Sequence, residues 1–206
     1  MLKQYMQEEI KDKSKAHSLW LMSDGEKGAQ FRCEENRSFI GCNLSGLDLR
    51  CADLEGVNIL GANLESVILS NANLEKSILK CANLKGSSLV GAYLSGADLT
   101  QCDLSDAQMY AATLKDVILV GATLKKAKMR HVKLWNAKMK NANLEDADLE
   151  GADMKNVDLR NSDLVGTGWI NFNYNEVDTS GAITNRFKHF EMSQLEKKDK
   201  NDVSQD

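Results

Sequence analysis

The sequence predicts an all-β solenoid, on three observations. First, residues Arg37 to Asn171 are written in steps of five. Counting by fives from Phe39 through Leu44, Leu49, Leu54 and Ile59 to Trp169 meets 27 apolar residues, of which 20 are Leu. Second, two residues before most of them the side chain is small, as at Ala52, Ala62, Ala72, Ala82, Ala92 and Ala97. Third, Gly recurs at the end of the step, as at Gly46, Gly56, Gly61 and Gly86, where a tight turn tolerates it best. A period of five fits neither a helix at about 3.6 nor a strand at about 2. Two inward side chains separated by one outward residue, then a corner, describe a very short extended segment followed by a turn. Such segments become stable only by stacking, because one alone cannot offset the conformational entropy lost on ordering it.

The stretch CADLEGVNILGANLESVILSNANLEKSILKCANLKG, residues 51–86, carries the repeat most plainly. It resembles the pentapeptide-repeat family, whose motif is A(D/N)LxG-like, and the resemblance covers about two thirds of the chain. It implies a right-handed quadrilateral β-helix of twenty-residue coils. The 27 steps would then make about 6.75 coils, a rod of roughly 32 Å at the usual strand spacing.

The flanks are expected to cover the ends of the rod. Residues 1–36 form an N-terminal helix and lead-in. Leu2, Tyr5, Met6 and Ile10 share one helical face, and Trp20 sits in an apolar knot before the Ser23-Asp24-Gly25 stop. The repeat domain spans 37–174. Residues 175–206 read as a short C-terminal helix marked by Ile183, Phe187 and Phe190, which caps the rod or pairs two rods into a homodimer, followed by a charged tail whose composition favours disorder.

Composition narrows the functional classes. The formal charge of −4 is too mild for a nucleic-acid binder or for a strongly acidic decoy. No apolar run approaches ~18 residues, so no membrane contact is expected. Early Glu8, Glu9 and Asp12 argue against a secretory signal. The five Cys form no CxxC or CxxH pair, so neither a metal site nor a redox motif is supported, and reduced thiols in the cytoplasm are the default. His17, His131 and His189 stand apart. Asp48, Asp53, Asp98, Asp103, Asp148 and Asp153 recur as a repeat position rather than as acid–base pairs. The expectation is therefore no enzyme, no catalytic residue and no cofactor.

Between Asp116 and Glu145 there is no acidic residue, while Lys125, Lys126, Lys128, Arg130, Lys133, Lys138 and Lys140 all point outward. A twenty-residue coil stacks n on n + 20. That pairs Lys125 with Glu145, Lys126 with Asp146, Lys128 with Asp148, Arg130 with Glu150, Lys133 with Asp153 and Lys138 with Asp158, and leaves Lys140 against Arg160. An internal charge ladder is preferred over a nucleic-acid belt. Trp135 should stack between Lys115 and Lys155 as a cation–π sandwich.

A few outward positions are apolar. Ile68, Val90, Tyr93 and Tyr110 form the candidate partner surface, against the alternative of a ladder that only stabilises the rod. The leading function is a non-catalytic scaffold for a protein partner. The resemblance also implies an alternative, protection of DNA gyrase or topoisomerase IV by imitation of duplex DNA. Against it stand the mild charge, the basic coil, Leu rather than Phe at the centres and a register without loops. Delivery as a bacterial effector is a further alternative.

Overall fold

The computed structural model describes residues 2–22, 30, 38–168 and 176–184. Every β-bridge among them joins residue n to residue n + 20 in parallel, from Ser38–Asn58 to Asp163–Ile183. Twenty residues therefore make one coil of four five-residue sides, and the stacked coils form a right-handed quadrilateral β-helix. The hand is the one that parallel crossovers take almost without exception. The four faces are named here by their first buried centres: Phe39 (first), Leu44 (second), Leu49 (third) and Leu54 (fourth).

One side shows how the coil is held. The N–H of the centre Leu64 donates to the Asn83 C=O of the next coil (2.7 Å), and Ser66, two residues on, donates to Lys85 C=O (2.9 Å). Asn63 N–H donates to Cys42 C=O of the previous coil (2.9 Å), and Val67 N–H closes the turn onto Leu64 C=O (3.1 Å). That leaves the N–H directly after the centre. The residue before the centre supplies its acceptor: Glu65 N–H donates to Asn63 Oδ1 (3.2 Å), Ser105 to Asp103 Oδ1 (2.9 Å) and Glu145 to Asn143 Oδ1 (2.9 Å). The recurring Asp or Asn before Leu is thus a hydrogen-bond acceptor for a donor the ladder cannot serve. Amide ladders add cross-coil bonds, as from Asn83 Nδ2 to Asn63 Oδ1 (3.2 Å).

The residue two after each centre turns the corner in the left-handed region. Glycine serves at some corners, and at others Asn71 (φ 58°), Asn136 (58°) and His131 (57°) accept the same conformation. All described centres from Phe39 to Leu164 are buried, which leaves the interior filled with side chains.

Helix α1 (Leu2–Met22) lies at the N-terminal end of the rod. Ile10 is fully buried in the core cluster. His17 Nε2–H donates to Arg50 C=O (2.8 Å), and Gln30 Nε2 donates to Cys51 C=O. In an inner coil the equivalent carbonyl is occupied: Ser70 C=O accepts from Cys51 N–H (3.0 Å). His17 thus gives the Arg50 carbonyl the kind of donor that a neighbouring coil gives its counterpart Ser70. The side chains of Leu2, Tyr5, Met6 and Trp20 lie outside those described.

At the other end the expectation needs correction. Residues 176–184 are not the start of a helix. Asp178 and Ile183 bridge Asp158 and Asp163, and Ala182 N–H closes a repeat turn onto Thr179 C=O (3.0 Å). The repeat therefore extends past the expected boundary at 174. Asp178-Thr179-Ser180-Gly181-Ala182 keeps the acceptor, the corner glycine and the small residue; a polar Thr at the centre hides it from a count of apolar residues. Phe187, Phe190, Trp169 and the charged tail lie outside the described residues.

Two outcomes follow from this packing. Leu104→Ala should lower stability by about 2–5 kcal/mol, measured by denaturant unfolding, because the fully buried site cannot collapse. Burial holds the His17 pKa below its ordinary 6.5 despite the Arg50 carbonyl and Asp48, which both raise it. The unfolded chain then takes up the proton first, so the His17 contribution is present above about pH 6.5 and is lost as pH falls below it. Melting temperature should drop between pH 7.5 and 5.5, and His17→Gln should flatten that slope.

Candidate functional site

The fold converts the five-step register into columns. On the third face Val90 and Tyr110 occupy successive rows of the column after the centre, shown by Asn71 N–H to Val90 C=O and Gly91 N–H to Tyr110 C=O (both 2.9 Å). Tyr93 stands on the fourth face, bridged to Asn73 and Thr113. Gly91 and Ala111 form the corner between the two faces, so the edge separating Tyr110 from Tyr93 carries almost no side chain. Both tyrosines are 50% exposed. Ile68 is on the third face but in the other column, bridged to Asp48 and Ser88. Val90, Tyr93 and Tyr110 therefore share one edge, and Ile68 borders it.

Ile68 and Tyr93 occupy the place where the repeat keeps its Asp or Asn. Each replaces an acceptor for the following N–H with a side chain that makes no such bond. Tyr110 packs edge-to-face on His131, with ring centroids 5.5 Å apart at 86°. His131, isolated in the sequence, thus has an aromatic neighbour one coil away.

A second apolar group escaped the sequence reading. Ile40, Leu60 and Ile78 are exposed on the first face, the first two in one column (Gly41 N–H to Leu60 C=O, 2.9 Å). The register held the signal, since all three flank buried centres. Beyond them Lys80 pairs with Asp98 (3.0 Å). Burial pushes the Asp98 carboxyl up, but Thr100 and Lys80 together hold it below its ordinary value.

The basic stretch keeps the expected register and two of the expected partners. Lys125 pairs with Glu145 (2.6 Å) and Arg130 with Glu150 (3.0 Å). Arg130 also takes Asp148 (2.6 Å), and Arg160 takes Asp158 (2.7 Å). Lys128 and Lys138 are thereby displaced from the carboxylates of their own columns. The planar guanidinium fork reaches a carboxylate diagonally or within one coil, where an ammonium competes poorly. These contacts hold Asp158 below and Arg130 above their ordinary pKa values. The cations fall on all four faces: Lys125 on the second, Lys128 and Arg130 on the third, Lys133 on the fourth, Lys138 and Lys140 on the first. Trp135 lies between Lys115 and Lys155 in its column, as expected, but no cation–π contact occurs among the described residues.

Among the described residues no group of His, Cys, Asp and Glu is arranged to hold a metal ion, and no helix is long and apolar enough to cross a membrane. Burial pushes the Cys102 thiol up to about 12, which makes it a poor nucleophile.

Two family models match, "Pentapeptide repeats" over residues 38–75 and 68–106 and "Pentapeptide repeat region" over 92–169. The chain belongs to the pentapeptide-repeat family. No curated protein matches it in sequence. Among solved structures it is similar to QnrB1, a plasmid-mediated fluoroquinolone resistance protein, at 18% identity and a TM-score of 0.57, over 81% of this chain and 92% of that one. It also matches HetL, involved in heterocyst differentiation regulation in the cyanobacterium Nostoc sp. strain PCC 7120, at 23% identity and a TM-score of 0.27, over 78% and 92%. At these identities the likeness concerns the fold. Within the family frame the diagonal arginine contacts have a measurable consequence. Arg130→Lys should lower the melting temperature, and the loss should shrink as salt is raised from 0.05 to 1 M, where screening shortens to about 3 Å.

Proposed function

We propose that this pentapeptide-repeat protein is a non-catalytic scaffold that presents the edge between its third and fourth faces to a protein partner in the cytoplasm. The observation that carries the reading is Tyr93. It is half exposed at a position where Asp or Asn would satisfy the Ser95 N–H, so the repeat forgoes a stabilising bond there. With Val90 and Tyr110 across the bare Gly91–Ala111 corner, it forms an apolar and aromatic anchor on a rigid support, the composition typical of protein interfaces. The dispersal of the cations over four faces supports a protein rather than a nucleic-acid partner, because no single strip of them follows a phosphate backbone.

Tyr93→Asn separates interface from fold. It should restore the acceptor, keep or raise the melting temperature (a hydrogen bond contributes ~0.5–1.5 kcal/mol) and reduce partner capture from native extract at least tenfold. Tyr110→Ser should reduce capture as well. Unchanged capture by both variants would remove this reading. A second reading, gyrase or topoisomerase protection, is favoured only by the likeness in fold to QnrB1. A supercoiling assay with quinolone that shows no protection at high protein excess would eliminate it.

A further inference from the structure

The fourth face sorts its charges by sign along the rod. Its columns read Asp53, Asn73, Tyr93, Thr113, Lys133, Asp153 before the centres and Glu55, Glu75, Ser95, Lys115, Trp135, Lys155 after them. The first three faces instead pair opposite charges on nearby rows, as in Lys80–Asp98, Lys125–Glu145 and Arg130–Glu150. Here Glu55 and Glu75 stack directly on one another, an arrangement that disfavours the rod itself. Lys76 at the adjoining corner binds Glu55 (3.1 Å), and Asp116 lies 4.0 Å from Lys115. These contacts and Asp153 reduce the opposing charges of the two ends without reversing them.

We infer that two copies of the chain pair antiparallel through their fourth faces, about a two-fold axis at the Tyr93 row. The argument is self-complementarity. An axis lying across the face reverses the rod direction and keeps each column opposite itself. With the axis at Tyr93, Asp53 meets Lys133, Glu75 meets Lys115, Asn73 meets Thr113, and Glu55 meets Trp135 with Lys115 and Lys155 on either side. Tyr93 meets its own mate beside two small Ser95 side chains. No like charges face each other across the five rows from Asp53 to Lys133. Such an isologous contact closes on itself and stops at the dimer. Five rows at ~4.8 Å give a contact about 20–25 Å long. It buries on the order of 300 Å2 per rod, well below the ~800 Å2 per partner of a standard interface, so the pairing is weak and salt-sensitive. It goes beyond the proposed function and shares only Tyr93 with that edge: Ile68, Val90 and Tyr110 lie on the third face, outside the contact.

Sedimentation velocity of the full chain over a concentration series tests it. Dimer should appear at high protein concentration in 0.05 M salt, with association at least tenfold weaker in 1 M salt. Glu75→Lys and Lys115→Glu should each be monomeric, because each places like charges opposite one another twice. An equimolar mixture of the two should dimerise again, since both contacts are then restored with opposite charges, and this also shows both variants to be folded. A wild-type chain that stays monomeric, a dimer that Glu75→Lys leaves intact, or a mixture that stays monomeric would overturn the inference. Loss of partner capture by Tyr110→Ser reads the third face and is decided separately.

Discussion

Everything in this molecule depends on the parallel backbone ladder from n to n + 20. Each inner side gives donors and acceptors to the coil on either side, and the corner bond closes within the side. Neither a single side nor a single coil can satisfy its own backbone, so order exists only in the stack. The ladder also dictates the composition. The centre must be apolar because it points into a closed tube. The corner must tolerate positive φ. The residue before the centre favours Asp or Asn because one N–H per side has no other acceptor.

That constraint makes departures informative. A residue that meets every demand of the ladder needs no further explanation, and most outward Asp and Asn are of this kind. Ile68, Ile78 and Tyr93 forgo the acceptor, and Glu55 with Glu75 stacks like charges. These are places where the surface is not optimised for the rod, and they lie on the first, third and fourth faces. The open edges raise a different demand. At the N-terminal end His17 occupies the Arg50 carbonyl, of the kind that inner coils use in the ladder, and Gln30 adds a bond to the corner carbonyl of Cys51.

Much of this was legible in the residues. The five-step register alone identified the buried centres, and the twenty-residue coil predicted which residues share a column. The spacing alone puts Val90 and Tyr110 in one column, with Tyr93 round the corner. The aliphatic group Ile40, Leu60 and Ile78 was equally legible, since each stands one residue from a buried centre. The repeat at 176–184 was hidden because a polar Thr179 stands at the centre while the rest of the motif persists.

The sequence by itself determined the period, the core and the columns, because these follow from repetition: each side repeats one local rule, and the sum has one solution. The tertiary structure decided what repetition leaves open. Which carboxylate a cation takes depends on the reach of its side chain, so Arg130 and Arg160 displaced lysines that the register had paired. How an end is closed depends on a non-repeating segment folding back, as His17 does onto Arg50. Both are settled by side-chain geometry across distances that no count along the chain can measure.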